Sequence, residues 1–131
     1  MFDDRPFEII KNGVCLSKFM YSDQYRSHLR KTYELNNAKT VGIIGRLSSV
    51  KNPLFAIRII EELSKTESNS CAVFLGDGEL RSQAEAAVKE ASLETVVRFI
   101  GAVNNVNEWL SAIDVLLMPS LFEGIPFALT K

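Results

Sequence analysis

Along the middle of the chain, hydrophobic and polar positions switch between two periods. Four short apolar runs, "VGIIG" (41–45), "CAVFLG" (71–76), "VVRFIG" (96–101) and "VLLMP" (115–119), are bounded by Gly, Pro or Asn. Near-continuous apolarity predicts strands buried on both faces, as in a parallel sheet covered by helices. Between the runs, apolar residues return at helical spacing. Ala56, Ile59, Ile60 and Leu63 share one face of a helix that Asn52 would cap and Pro53 would open. Leu80, Ala84, Ala87 and Ala91 form a second stripe. Val106, Trp109, Leu110 and Ile113 form a third, with Asn105 and Glu108 spaced as a capping box. This alternation predicts the α/β class: right-handed βαβ units in a Rossmann-like, doubly wound parallel sheet with helices on both faces.

The first 39 residues have a different pattern, which sets 1–39 apart from a Rossmann-like domain over 40–131. "FEIIKNGV" reads as a short strand entering an Asn-Gly turn. A polar helix from Asp23 to Glu34 would follow, with Tyr25, Leu29 and Thr32 towards the body. The usual doubly wound strand order places the first and last of the four central strands side by side. That would leave "VLLMP" as an apolar edge, open to self-association. The expectation is of a domain incomplete at its C-terminus, with further strands after Lys131.

Composition narrows the classes. A chain of 131 residues that is 47% hydrophobic can bury one real core. With 15 Lys and Arg against 16 Asp and Glu, no net basic field points to nucleic acid or to an anionic membrane. The start "MFDDRPFEII" lacks the layout of a signal peptide, and no apolar run is long enough to span a bilayer. The two cysteines, Cys15 and Cys71, have neither disulfide-scaffold numbers nor metal-ligand spacing, and Cys71 reads as a small buried hydrophobe. A reduced, cytoplasmic, soluble domain is expected.

In open α/β sheets, ligands bind at the carboxyl ends of the strands. Arg46 stands at the first strand tip and Lys51 just before a helix N-terminus. They are either solvated loop charges or a cradle for a diphosphate. After the second strand, Gly76 and Gly78 allow a tight turn, with Asp77 and Glu79 in a helix first turn, and Gly76 could admit a ligand closely. A dinucleotide fingerprint would need a glycine where Arg81 stands, so that reading fails. The loop Gly101 to Asn104 could seat a flat base. After the fourth strand, Ser120, Glu123, Gly124 and Pro126 suit sugar hydroxyls beside a phosphate. His28 reads as a solvated surface residue, and Trp109 as core. No Ser-His-Asp or Cys-His arrangement and no carboxylate metal site is visible.

Five segments, in order, resemble the C-terminal, donor-binding domain of retaining group 1 glycosyltransferases of the GT-B architecture. "IIKNGVCLSKF" is similar to the family's interdomain Asn-Gly-Val-Asp…Phe junction, with Cys15 where Asp is usual. "VGIIGRLSSVKN" resembles its phosphate loop, and "VFLGDGELR" and "VRFIGAVNNV" its next two strand–loop segments. "PSLFEGIP" resembles the opening of its Glu-x7-Glu signature, whose second Glu would fall at Lys131.

The resemblance implies that residues 1–39 are an interdomain junction and that the chain is a fragment cut at both ends, lacking the N-terminal acceptor domain. It implies transfer of a hexosyl group from a nucleotide-sugar, such as a UDP- or GDP-hexose, with retention and with no bound metal or cofactor. Gly45, Arg46 and Lys51 would meet the diphosphate, with Gly76 close by. Glu123 would contact sugar hydroxyls, helped by Ser120, Gly124, Ile125 and Pro126, and Gly101 to Val103 would lie against the base. Arg46, Lys51 and Glu123 would be the catalytic group of the whole enzyme. That enzyme would be cytoplasmic, with a membrane-peripheral location left open for the full-length protein, while the isolated chain would be inactive. Two other readings stay open: a non-catalytic fragment with residual nucleotide binding, and a sugar-nucleotide epimerase.

Overall fold

The computed structural model describes residues 13, 15–35 and 37–123. The expected strand over 7–12, and Gly124, Ile125, Pro126 and Lys131, lie outside the described residues. After a 3-10 turn at Leu16–Phe19, the elements are α1 (Asp23–Thr32), β1 (Lys39–Ile44), α2 (Pro53–Thr66), β2 (Ser70–Leu75), α3 (Arg81–Glu90), β3 (Val97–Gly101), α4 (Val106–Ala112) and β4 (Val115–Leu116). The strands form one parallel sheet in the order β3-β2-β1-β4. The first and last strands are therefore neighbours, as the βαβ rhythm requires. No described helix is long and apolar enough to cross a membrane.

Strand periodicity divides the core in two. Val41, Ile43, Ala72, Phe74 and Val97 pack against Ala56, Ile57 and Ile60 of α2 and Ala84 and Val88 of α3. On the other face, Cys71, Val73 and Leu75 pack against Leu29, Leu35 and Trp109. Consecutive residues of β2 thus serve opposite layers, and all of Cys71 to Leu75 are buried. Gly42 makes room for Ile113: a Cβ there would sit 2.6 Å from the Ile113 Cδ1. Trp109 is buried against Tyr33, with ring centroids 4.8 Å apart. His28 is exposed.

Several local expectations are corrected. Helix α1 stops at Thr32, and Tyr25 and Thr32 are exposed, so only Leu29 of the three is buried. Two arginines take the inward face instead. Arg26 Nη1 donates to the Ser111 carbonyl at 3.1 Å and Arg30 Nη1 to the Ala112 carbonyl at 2.9 Å, satisfying the end of α4. Both also pair with Asp114, at 2.7 and 3.3 Å. Leu29 and Leu35 share a core with the sheet, so the stretch around α1 is packed into the same body.

Asn52 does precede α2, but in a left-handed conformation and without a side-chain cap. Asn105 likewise makes no side-chain cap; its Nδ2 donates to Glu108 Oε2 at 2.9 Å. Helix α3 begins at Arg81, so Asp77 and Glu79 belong to the preceding loop rather than to a helix first turn. Its buried positions are Ala84 and Val88. Only Val115 and Leu116 of "VLLMP" pair in register with β1, followed by one more bond from the Leu117 amide to the Gly42 carbonyl at 2.9 Å.

Candidate nucleotide-sugar site

All four strands run the same way, so the segments after β1, β2, β3 and β4 gather at one rim. A narrow crevice opens there between the tips of β1 and β4, lined by Gly45, Arg46, Lys51, Met118, Pro119 and Ser120 among others.

The first segment is built on Gly45, whose φ of +141° favours a residue without a Cβ. A side chain on Gly45 would meet the Lys51 Cε at 3.5 Å, so the lysine stem runs over this glycine. The Asn52 amide donates to the Ser48 carbonyl at 3.0 Å, closing the turn, and Pro53 opens α2. Lys51 therefore stands at the N-terminal end of α2, where the helix dipole favours anions.

The segment after β4 is tied to the same loop. The Leu121 amide donates to the Val50 carbonyl at 2.8 Å, and Asn52 Nδ2 donates to the Pro119 carbonyl at 3.4 Å. These bonds bring Glu123 to Lys51. Lys51 Nζ lies 2.5 Å from Glu123 Oε1, and Ser120 Oγ donates to the same oxygen at 2.6 Å. The side chains are 34% and 24% exposed, so the pair is shielded but reachable. The Lys51 ammonium first, then the Ser120 hydroxyl, hold the Glu123 carboxyl below its ordinary value, outweighing its desolvation.

Arg46 reaches the same rim but leans the other way. It is 74% exposed, and its Nε donates to Glu79 Oε2 at 3.2 Å across the gap to the β2–α3 loop. The Glu79 carboxyl is lowered chiefly by its own backbone amide, against desolvation that raises it, with the Arg46 guanidinium adding to the lowering.

Gly76 has a reason other than a ligand. Its φ is +149°, and a Cβ there would collide with the carbonyl oxygen of Gly45. A Cβ on Gly78 would stand 2.5 Å from the Leu47 carbonyl oxygen. The two loops lie backbone against backbone, with the Leu47 amide donating to the Asp77 carbonyl at 3.0 Å and the Leu80 amide to the Leu47 carbonyl at 2.9 Å. Gly101, at φ +89°, accepts a bond from the Gly76 amide at 2.8 Å, and Val103 tucks against the core. A shallow, open hollow runs over Ala102 to Asn105.

The structure thus brings Lys51, Ser120 and Glu123 into contact, while Arg46 lines the crevice with its guanidinium paired to Glu79. The roles of Asn52 and Val50 in holding the fourth loop were not visible in the sequence, where Asn52 reads only as a helix cap. Among the described residues, no group of three or more His, Cys, Asp or Glu side chains could hold a metal ion.

Comparison with known proteins gives the family. The family described as "Glycosyl transferases group 1" matches residues 38–131. The UDP-Gal:alpha-D-GlcNAc-diphosphoundecaprenol alpha-1,3-galactosyltransferase of Escherichia coli is 30% identical over 133 residues, covering 98% of this chain and 34% of that protein. The chain spans between 22% and 34% of the length of the first curated relatives it matches. The crystal structure of the C-terminal domain of a group 1 family glycosyl transferase (LpcC) from Francisella tularensis shares the fold. Its TM-score is 0.75 at 24% identity, over 86% of this chain and 61% of that one. Anabaena Alr3699/HepE, solved with UDP and glucose, gives a TM-score of 0.73 at 24% identity, over 86% of this chain and 31% of that one. With its α/β fold and most of its length matched, the chain belongs to the group 1 glycosyltransferase family.

Proposed function

We propose that this chain is the donor-binding part of a glycosyltransferase that moves a hexosyl group from a nucleotide-sugar to an acceptor with retention. The observation that carries the reading is the Lys51–Glu123 contact at the crevice between β1 and β4. An ammonium at a helix N-terminus suits a diphosphate, and a carboxylate beside it suits sugar hydroxyls. The two meet where a nucleotide-sugar joins its phosphate to its sugar. The Escherichia coli relative is named for a UDP-linked donor, and HepE was solved with UDP and glucose, which favours UDP over GDP here.

In this reading Lys51 and Arg46 bind the diphosphate and stabilise the leaving nucleotide as its negative charge grows. Glu123, with Ser120 and the segment at Gly124, Ile125 and Pro126, orients the hexose by its hydroxyls. Gly45 lets the diphosphate approach the backbone, and Gly101 to Val103 faces the base. The chain's own cations meet the leaving-group charge, so no metal or cofactor is assigned. The acceptor hydroxyl is held by a separate N-terminal domain, whose proximity contribution the isolated chain lacks. Relatives named for polysaccharide biosynthesis and for an undecaprenol-linked acceptor point to glycan assembly, with the whole protein at the cytoplasmic face of a membrane.

Titration of the chain with UDP and with GDP, followed by amide NMR shifts, tests the site. Shifts should centre on residues 45–52 and 101–104 and be largely abolished in an Arg46→Ala, Lys51→Ala double variant. Equal shifts in both proteins would remove the diphosphate assignment. The same chain should transfer no sugar to added acceptors; measurable transfer would show that no second domain is needed.

A further inference from the structure

The half-buried Arg81 has no part in the donor reading above, yet it lies against the loop that reading gives to the base. It opens α3 with a side chain 29% exposed. Its guanidinium touches three elements of the rim. Nε donates to Glu85 Oε1 at 2.8 Å, and Nη1 lies 3.6 Å from Asp77 Oδ2 in the β2–α3 loop. The guanidinium carbon stands 5.4 Å from the centroid of the Phe99 ring, which itself stacks on Phe74 at 5.0 Å. Nη1 is also 3.7 Å from the point where a Gly101 Cβ would stand.

That last position is where β3 leaves the sheet. The β2–β3 register shifts there: Phe74 pairs with Phe99 but Leu75 pairs with Gly101, so Ile100 is an extra residue. Gly101 then takes its left-handed φ. A bulge at a strand end re-aims the following chain, and such irregular backbone needs support from outside its own ladder. Arg81 is placed to give it, clamped by two carboxylates and resting on an aromatic face.

We propose that Arg81 is a positioning residue for nucleobase recognition: it fixes the bulge at Ile100–Gly101 and so the path of 101–105. The inference rests on the donor reading and deepens it. Arg46 and Lys51 act on the diphosphate, whereas Arg81 acts on the base end through the backbone. This separates two quantities that a general loss of structure would move together.

The test compares UDP with inorganic pyrophosphate as probes on the full chain. Arg81→Ala should weaken UDP binding about fivefold to tenfold, because the ligand would then have to order the 101–105 loop that Arg81 otherwise holds in place. Pyrophosphate affinity should fall by clearly less than UDP affinity, since Arg81 reaches the phosphate loop only through the Asp77 segment that the Leu47 amide bonds. Arg81→Lys, which keeps the charge over Phe99, should recover part of the loss. Glu85→Gln, a surface change that removes one clamp, should give a smaller loss in the same direction. It keeps the test decisive if Arg81→Ala does not fold. Parallel weakening of UDP and pyrophosphate, or no weakening of either, would overturn the inference; the Arg46 and Lys51 assignment is judged separately, by its own double variant. Failure of the unsubstituted chain to bind UDP would overturn the donor reading itself, and this inference with it.

Discussion

Gly76 is the residue whose substitution the structure resists most directly. Its Cβ would occupy the space of the Gly45 carbonyl, and its φ of +149° disfavours any side chain. Gly76→Ala should therefore destabilise the chain by on the order of 2–4 kcal/mol, from overpacking against backbone plus conformational strain. Among the described residues no atom lies within 4 Å of the Gly13 Cβ position, so Gly13→Ala is the control and should shift stability by less than about 0.5 kcal/mol. Urea midpoints of the two variants, compared with the unsubstituted chain, check this. The sequence shows that Gly76 and Gly78 allow a turn, but not that they face another loop. That is a contact between Gly76 and Gly45, and between Gly78 and Leu47, each pair 31 residues apart in sequence, and local pattern carries no trace of it. Lys51, Ser120 and Glu123 were easier, because loops after parallel strands must share a rim and charged residues there stand out. The partner of Arg46 was hidden for the opposite reason: an exposed ion pair with Glu79 depends only on which side chains reach across solvent.

The elements themselves were legible because buried strands are written as apolar runs and their ends as Gly or Pro. Helix α1 was the exception. Its inward face is made by Leu29 together with Arg26 and Arg30, the arginines taking the places of the Tyr25 and Thr32 that periodicity suggested. These arginines, with the Thr40 amide, converge on Asp114 just before β4. Burial pushes the Asp114 carboxyl up, but the Thr40 amide, Arg26 and Arg30 together outweigh it and hold it below its ordinary value of 3.8. A carboxyl with a lowered folded value contributes stability that is complete above its unfolded value and is lost as pH falls through the folded one. Asp114→Asn should accordingly lower the urea midpoint at pH 7, with the gap to the unsubstituted chain narrowing below about pH 3.8. A constant gap from pH 7 to pH 3 would show that the charge of Asp114 is not what ties α1, β1 and β4 together.

For the molecule as a whole, the outer edge of β4 decides its behaviour in solution. Among the described residues β4 pairs only with β1, and over two residues, so its edge is short. Short edges are poor templates for a second strand, but Val115 is exposed within β4, and Leu121 and Phe122 are exposed in the segment that follows it. The chain should therefore self-associate weakly, as a concentration-dependent shift in sedimentation velocity that Val115→Lys removes. A single monomer boundary at high concentration would refute this. The strand order that places β4 there was legible from the βαβ rhythm; how little of it pairs was not, since "VLLMP" reads as apolar throughout. The rim opposite behaves differently, because its loops are laced backbone to backbone. Gly101 accepts from Gly76, Asp77 from Leu47, and Leu47 from Leu80. Loops tied in this way cannot lose their freedom one at a time. Ordering one by a bound fragment spends conformational entropy for its neighbours too, so the next fragment meets a smaller ordering cost. Nucleoside and pyrophosphate, offered together as separate molecules, would each raise the affinity of the other by the same factor, a reciprocity fixed by linkage.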